Sequence, residues 1–245
     1  MLKSYTDDDD LLSGLPRFDQ FLSGLTGKRR VLEISGERAS GKTVGQDIAI
    51  NSSPTTALQF LVLHLVLRYL VDTPSASVLW IDTTSDFSVS WAAEILSGLA
   101  GSEPSDALDR LQICQAFEVE TVFQALDTVP TSNLSNTPSM RVVVIDTVTT
   151  LLSPLLSPMP QGHAIMTALM RQLRVVARNA TVFVINDTVA VDAKQPKIRK
   201  PALGPSFTFM TDATLWLASV GDRGEDDGST SHVVQLYRTK ITVSS

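Results

Sequence analysis

Seven short apolar runs rich in β-branched residues recur along this 245-residue chain, at 31–34, 78–81, 111–114, 142–145, 181–185, 214–218 and 233–237. Continuous apolar runs of this length are what strands buried on both faces require. Helical patterns lie between the earlier runs, at 58–71, 90–99, 120–129 and 163–179. Such alternation predicts an α/β fold with a mostly parallel twisted sheet flanked by helices. The last two runs are separated by an acidic, turn-rich stretch at 221–228, too short for a crossover helix. They are expected to form a C-terminal antiparallel hairpin. A Pro-, Ser-, Thr- and Asn-containing stretch at 130–138 reads as a surface loop.

Directly after the first run stands Gly36-Glu37-Arg38-Ala39-Ser40-Gly41-Lys42-Thr43, a full G-x-x-x-x-G-K-[ST] pattern. Its glycines let the backbone curl until several N–H groups face one anion, Lys42 reaches the outer phosphates, and the Thr43 hydroxyl can ligate magnesium. A following helix adds its dipole to the same attraction. The pattern therefore predicts a P-loop binding a nucleoside triphosphate.

Composition narrows the alternatives. With 43% hydrophobic residues the chain can bury a sizeable core as one large domain. Its formal charge of −6 makes the average field repel nucleic acid, so any such contact must be local. The lone cysteine, Cys114, rules out an intrachain disulfide and a cysteine zinc cluster, and reads as a small buried hydrophobe. Asp7, Asp8, Asp9 and Asp10 stand where a secretory signal would be basic and then apolar. Residues 1–13 read as an acidic flexible tail with those aspartates solvated, leaving 14–245 as the core. The apolar segment 58–71 is too short to span a bilayer and carries His64 and Arg68, which argues against a membrane partner. His64 reads as a hydrogen-bonded residue at the helix edge. Arg174 and Arg178, four apart on a helical pattern, read as its solvated face.

The run at 142–145 ends in Asp146. Magnesium takes oxygen ligands, and a carboxylate at the C-terminal edge of a strand can meet a metal held by Thr43.

Taken as an ordered set, LPRFDQF (15–21), GERASGKT (36–43), VLWIDTTSDF (78–87) and RVVVIDTVTTLLSPLL (141–156) resemble the RecA/Rad-type recombinases of eukaryotes. MTALMRQLRVVARNATVFVIND (166–187), followed by KPALGPSFTF (200–209), is closer still to the D-type recombinase paralogue. The resemblance runs from about residue 11 to the end. It implies a RecA-like core that binds ATP with Mg2+, a nuclear role in DNA double-strand break repair by homologous recombination, and a place beside other recombinase paralogues or the main recombinase. It also implies two loops that meet single-stranded DNA, at 153–163 and 190–203. The second contains Lys194, Lys197, Arg199 and Lys200 against Asp192 alone, without an interleaved aromatic for base stacking, and reads equally as a solvated loop. The first has no Lys or Arg.

Three departures from the family pattern bear on activity. Where hydrolysing recombinases carry a glutamate after the third-strand aspartate, this chain has Thr84, which cannot act as a carboxylate base; Asp86, two residues on, is the candidate substitute. The polar γ-phosphate sensor corresponds to Asp187, whose charge repels a phosphate unless it is protonated or bridged by metal. These positions predict nucleotide binding with weak or absent hydrolysis. The third departure is an insertion at 44–55, which separates the P-loop from the helix that follows it in the family. Asn51-Ser52-Ser53-Pro54 stops a helix there, so 44–50 either forms a short orienting helix or is retained non-coding sequence. The N-terminal helical domain usual in the family is also missing, which favours docking to a partner over self-polymerisation. Two other readings remain open at this point, a scaffold with a vestigial nucleotide site and a P-loop kinase acting on a small molecule.

Overall fold

The computed structural model describes residues 11–26, 30–36, 57–100, 106–129, 139–156, 160–192, 194–220 and 231–240. Helix α1 (Pro16–Leu22) leads into strand β1 (Val31–Gly36). Helix α2 (Ala57–Asp72), β2 (Ala76–Asp82), α3 (Val89–Ala100), β3 (Leu111–Gln115), α4 (Val119–Asp127) and β4 (Ser139–Asp146) follow. Next come α5 (Val148–Leu152), α6 (Pro160–Val176), β5 (Thr181–Asn186), a pair β6 (Thr188–Asp192) and β7 (Gln195–Pro201), α7 (Gly204–Thr208), β8 (Ala213–Val220) and β9 (Ser231–Thr239). The main sheet has seven strands in the order β3-β2-β4-β5-β1-β8-β9, parallel except for the β8–β9 hairpin. The expected fold class is thus observed, and each of the seven apolar runs is a strand of this sheet.

Strands β1, β2 and β5 are buried along their whole length, as their unbroken apolar character requires. Helices α2 and α3 cover one face together with Leu11, Leu22 and Leu25. Helices α4, α5 and α6 cover the other. Helix α2 is apolar all round because it is enclosed, with nine of its sixteen residues buried. Helix α4 instead buries one stripe, Val119, Val122, Ala125 and Leu126.

Several expectations need correction. Among the described residues the packed body already includes Leu11, before the expected boundary at 14: Leu11 is buried, its N–H donates to Thr26 Oγ1 at 3.1 Å, and Ser13 holds Asp19 Oδ1 at 2.6 Å through both N–H and hydroxyl. Cys114 is only half-buried, because β3 is an edge strand whose outer positions face solvent. The stretch expected as a second loop, 190–203, is mostly the antiparallel pair β6–β7, with Val189 opposite Lys200 and Ala190 opposite Arg199. Part of the first loop is likewise helical, since α6 begins at Pro160. Arg178 is exposed as read; Arg174 is part-exposed but committed, its guanidinium bonding Asp212 and the carbonyl of Met210. His64 behaves as read, Nε2 lying 3.0 Å from the Ser13 carbonyl oxygen. The stretches at 44–55, 130–138 and 221–228 lie outside the described residues.

Arg110 ties the end of α2 to the start of β2 from inside. Its guanidinium donates to the carbonyls of Leu70, Thr73 and Ala76 at 2.7–3.0 Å and to Asp106 at 3.1 Å. Removing a charged donor strands buried carbonyls, at about 1–3 kcal/mol for a group left unsatisfied. Arg110→Ala is therefore expected to lower unfolding stability by about 3 kcal/mol in urea denaturation, and a loss within 0.5 kcal/mol of zero, the range of an ordinary surface change, would contradict this assignment.

Candidate nucleotide site

Parallel pairing places β1, β5 and β4 side by side, with Ser35 opposite Asn186 and Asp146 opposite Ile185. Their C-terminal ends therefore present Gly36, Asp187 and Asp146 along one edge of the sheet. Helix α2 starts against the same edge. A Cβ on Gly36 would lie 2.3 Å from the Leu217 carbonyl oxygen and 3.0 Å from Leu58 of α2, so only glycine lets the chain leave β1 between β8 and the first turn of that helix. Glu37, Arg38, Ala39, Ser40, Gly41, Lys42 and Thr43 lie outside the described residues. What the described part supplies is the strand end that precedes the P-loop pattern; α2, the next described helix, begins at Ala57, beyond the 44–55 insertion.

Asp146 is fully buried. Its Oδ2 accepts a hydrogen bond from Gln59 Nε2 of α2 at 2.6 Å, while Oδ1 is buried without a hydrogen-bond partner among the described residues. Burial pushes its carboxyl up to about 7, and the charges of Asp82, Asp187 and Asp86 push in the same direction against the Gln59 hydrogen bond. Removal of a carboxylate from water disfavours the charged form, and neighbouring anions disfavour it further. A bound cation reverses both effects, and a carboxylate oxygen with no donor among the described residues is a fitting ligand for magnesium. Asp86 reaches this place as well: with Gln59, Trp80 and Asp146 it lines a small cavity at the foot of α2.

Asp82 serves a different purpose. Its carboxylate accepts from the N–H groups of Thr84, Ser85 and Phe87 at 2.8–3.1 Å, and from the Thr84 hydroxyl at 3.3 Å. The loop after β2 is thereby wound around one side chain, with Ser85 in the left-handed region at φ 64°. Thr84, at the position of the missing glutamate, is turned toward Asp82.

Beneath the edge runs a polar network that pattern reading missed. Glu33, on the interior strand β1, is wholly buried and accepts from Asn186 Nδ2 at 2.6 Å, Thr214 Oγ1 at 2.8 Å and Ser35 Oγ at 3.2 Å. Burial raises its carboxyl above the usual range, partly offset by those hydrogen bonds. Asn186 Oδ1 in turn accepts from Thr149 Oγ1 at 2.9 Å, and the Asp187 N–H donates to Thr149 Oγ1 at 2.7 Å. The backbone at Asp187 is thus anchored to the core of β1 through two side chains. An acid inside an apolar run was the available signal.

The basic cluster sits apart from this carboxylate group, on β6–β7. Lys194 and Lys200 are exposed, whereas Arg199 is half-buried and donates to both Thr188 Oγ1 and the Thr188 carbonyl at 2.7 Å. Lys197 lies within β7. Val189, Val191 and Ile198 are exposed on the same pair.

No family model matches the chain. It is similar to DNA repair protein RAD51 homolog 4 of Bos taurus, 28% identical over 224 residues, which is 87% of this chain and 63% of that protein. The same protein of Mus musculus is 26% identical over 237 residues, 94% of this chain and 66% of the relative. DNA repair protein rdl1 of Schizosaccharomyces pombe is 26% identical over 140 residues, 55% of each. The chain thus spans a little under two thirds of the length of its mammalian relatives. Its fold resembles the crystal structure of the RadB recombinase with a TM-score of 0.65, over 94% of this chain and 90% of that one at 18% identity. These likenesses bear out the resemblance to RecA/Rad-type recombinases and to the D-type paralogue.

Asp146 also sets a pH dependence. Unfolded, it loses its proton near 3.8; folded and without cation, near 7. Between these values the folded chain holds a proton that the unfolded chain has released, so stability falls as pH rises and the contribution is gone above about 7. Asp146→Asn carries no such proton. In nucleotide- and magnesium-free buffer its stability relative to the parent should be unchanged between pH 4 and 8 only if the assignment is wrong; the expected result is a gain for the variant that grows by up to about 1.4 kcal/mol per pH unit across the window.

Proposed function

We propose, taking the chain as a RecA/Rad-type recombinase paralogue, that it binds ATP with Mg2+ at the shared edge of β1, β5 and β4 and hydrolyses it weakly or not at all. In that state it assists repair of DNA double-strand breaks by homologous recombination, together with other recombinase paralogues or the main recombinase. The carrying observation is the convergence on one edge of the sheet of Gly36, the first turn of α2 and Asp146 Oδ1, which has no hydrogen-bond partner among the described residues. Lys42 and the P-loop N–H groups would hold the phosphates, and Thr43 and Asp146 would hold the metal. When bound, magnesium neutralises phosphate charge and draws the Asp146 carboxyl into its ionised form.

Weak hydrolysis follows from the groups at hand. A water-activating base must lie within hydrogen-bond reach of the water it deprotonates. Thr84 is no base and its hydroxyl is turned to Asp82. Asp86 stands two residues further along, and a misplacement of about 1 Å can cost on the order of a hundredfold in rate. Asp187 adds negative charge where a sensor would normally donate a hydrogen bond.

Single-stranded DNA is proposed to meet β6–β7 through Lys194, Lys197 and Lys200. Arg199 contributes less, because its guanidinium is already committed to Thr188. The names of the relatives, all DNA repair proteins, support a nuclear location. A scaffold whose nucleotide site is vestigial is the second reading, favoured by the carboxylate at Asp187.

Thermal unfolding separates the two. ATP·Mg2+ at 100 times its dissociation constant stabilises by about 2.7 kcal/mol, roughly 5–10 °C for a domain of this size. That shift is expected in the parent and should vanish in Lys42→Ala; an equal shift in both overturns nucleotide binding at the P-loop. ATP turnover of roughly 10 per second, an ordinary enzyme rate, with loss in Asp86→Ala, would overturn weak hydrolysis and make Asp86 the base.

A further inference from the structure

Helix α2 begins at Ala57, and residues 44–56 stand between it and Thr43, so chain continuity from the P-loop pattern leaves its position open. Its own first turn sets it against the nucleotide edge. Leu58 closes on Gly36, leaving only 3.0 Å to the place a Cβ would take there, and Gln59 Nε2 donates to Asp146 Oδ2 at 2.6 Å. Gln59 is 5% exposed and is the one polar residue between Ala57 and Leu63. A buried amide costs free energy unless its polar atoms find partners, and leucine would pack in its place without that cost. A hydrogen bond to Asp146 is something the amide supplies and leucine could not.

That bond restricts how Asp146 can meet a cation. A carboxylate with both oxygens open binds through one or both. Here Oδ2 is taken by the amide, and Oδ1, which has no hydrogen-bond partner among the described residues, is left for a metal. Solvent is a poor substitute for the amide: the cavity that Gln59, Asp86 and Asp146 share is walled by Leu63, Trp80 and Trp91 and has a volume of about 10 Å³, room for no more than one water molecule. Coordination through one oxygen suits magnesium, a small cation that demands near-octahedral geometry and keeps several waters. Calcium takes about six to eight oxygens and accepts a carboxylate through both of its own.

Resting on the reading of this edge as a magnesium and nucleotide site, we propose that Gln59 is the positioning residue that gives the site its preference for Mg2+ over Ca2+, by confining Asp146 to coordination through one oxygen. Hydrogen-bond partners that orient a metal ligand are worth about 10–100-fold in affinity. Without the amide the carboxyl is free to turn, which weakens the octahedral fit for magnesium. The same freedom offers calcium a second oxygen and offsets part of its loss. The two cations therefore separate this role from a packing role, which affects both alike.

Titration calorimetry of ATP on the full chain, without metal, with Mg2+ and with Ca2+, compares the parent with Gln59→Ala and Gln59→Asn. Both variants open Oδ2, the first by removing the amide and the second by drawing it back one methylene. In each, ATP should bind about tenfold more weakly with Mg2+, lose less affinity with Ca2+, and bind unchanged without metal. The ratio of Mg2+ to Ca2+ affinity thus falls. Either variant suffices should the other fail to fold, which thermal unfolding in metal-free buffer reports. Affinity lowered equally in all three buffers would make Gln59 a packing residue and overturns the proposal. So does a parent without preference for Mg2+ over Ca2+, or a ratio in the variants equal to the parent's; where the parent still gains affinity from Mg2+, those results leave the magnesium site itself standing. A parent whose affinity for ATP ignores Mg2+ overturns both.

Discussion

Asn186 donates to Glu33 inside the sheet, and the rest of the nucleotide edge depends on that contact. Glu33 is buried on an interior strand, where a carboxylate without partners would cost more than a fold of this size can spare. Four side-chain donors from β1, β5, α7 and β8 satisfy it. Because one donor is Asn186 and the next link is Thr149, satisfying the acid also places the end of β5 against the start of α5. The register that sets Asp146, Asp187 and Gly36 in line is thereby held by polar contacts as well as by apolar packing.

That edge concentrates negative charge. The Asp82 carboxylate is held by the N–H groups of the turn it organises, whereas burial and acidic neighbours push the Asp146 carboxyl up to about 7. A carboxyl poised this way responds to a cation: it binds the metal as a carboxylate or keeps its proton in the metal's absence. Binding and hydrolysis need different groups, and here those for binding are better represented. The carboxyl proposed to face the metal is in place, while Thr84, where the resemblance expects a glutamate, turns its hydroxyl to Asp82.

Much of this was legible in the residues. The central strands read correctly because burial on both faces demands continuous apolar runs, and Asp146 stood out as the charge that ends one. Exposure broke the rule at the sheet margin, where β3 and β9 expose Ile113 and Tyr237 on otherwise apolar strands. The pair β6–β7 was hidden by Pro196 and the lysines around it, whose pattern matches a solvated loop as well as a twisted ribbon. Glu33 escaped notice because a single acid scarcely alters an apolar run, and Arg174 because its partner Asp212 is 38 residues away.

The central claim is that Asp146 joins the P-loop in holding a magnesium-bound nucleotide. Titration calorimetry of ATP with and without Mg2+, on the parent and on Asp146→Asn, addresses it most directly. The account predicts at least tenfold tighter binding with Mg2+ in the parent and most of that gain lost in the variant; the same magnesium dependence in both proteins would contradict it.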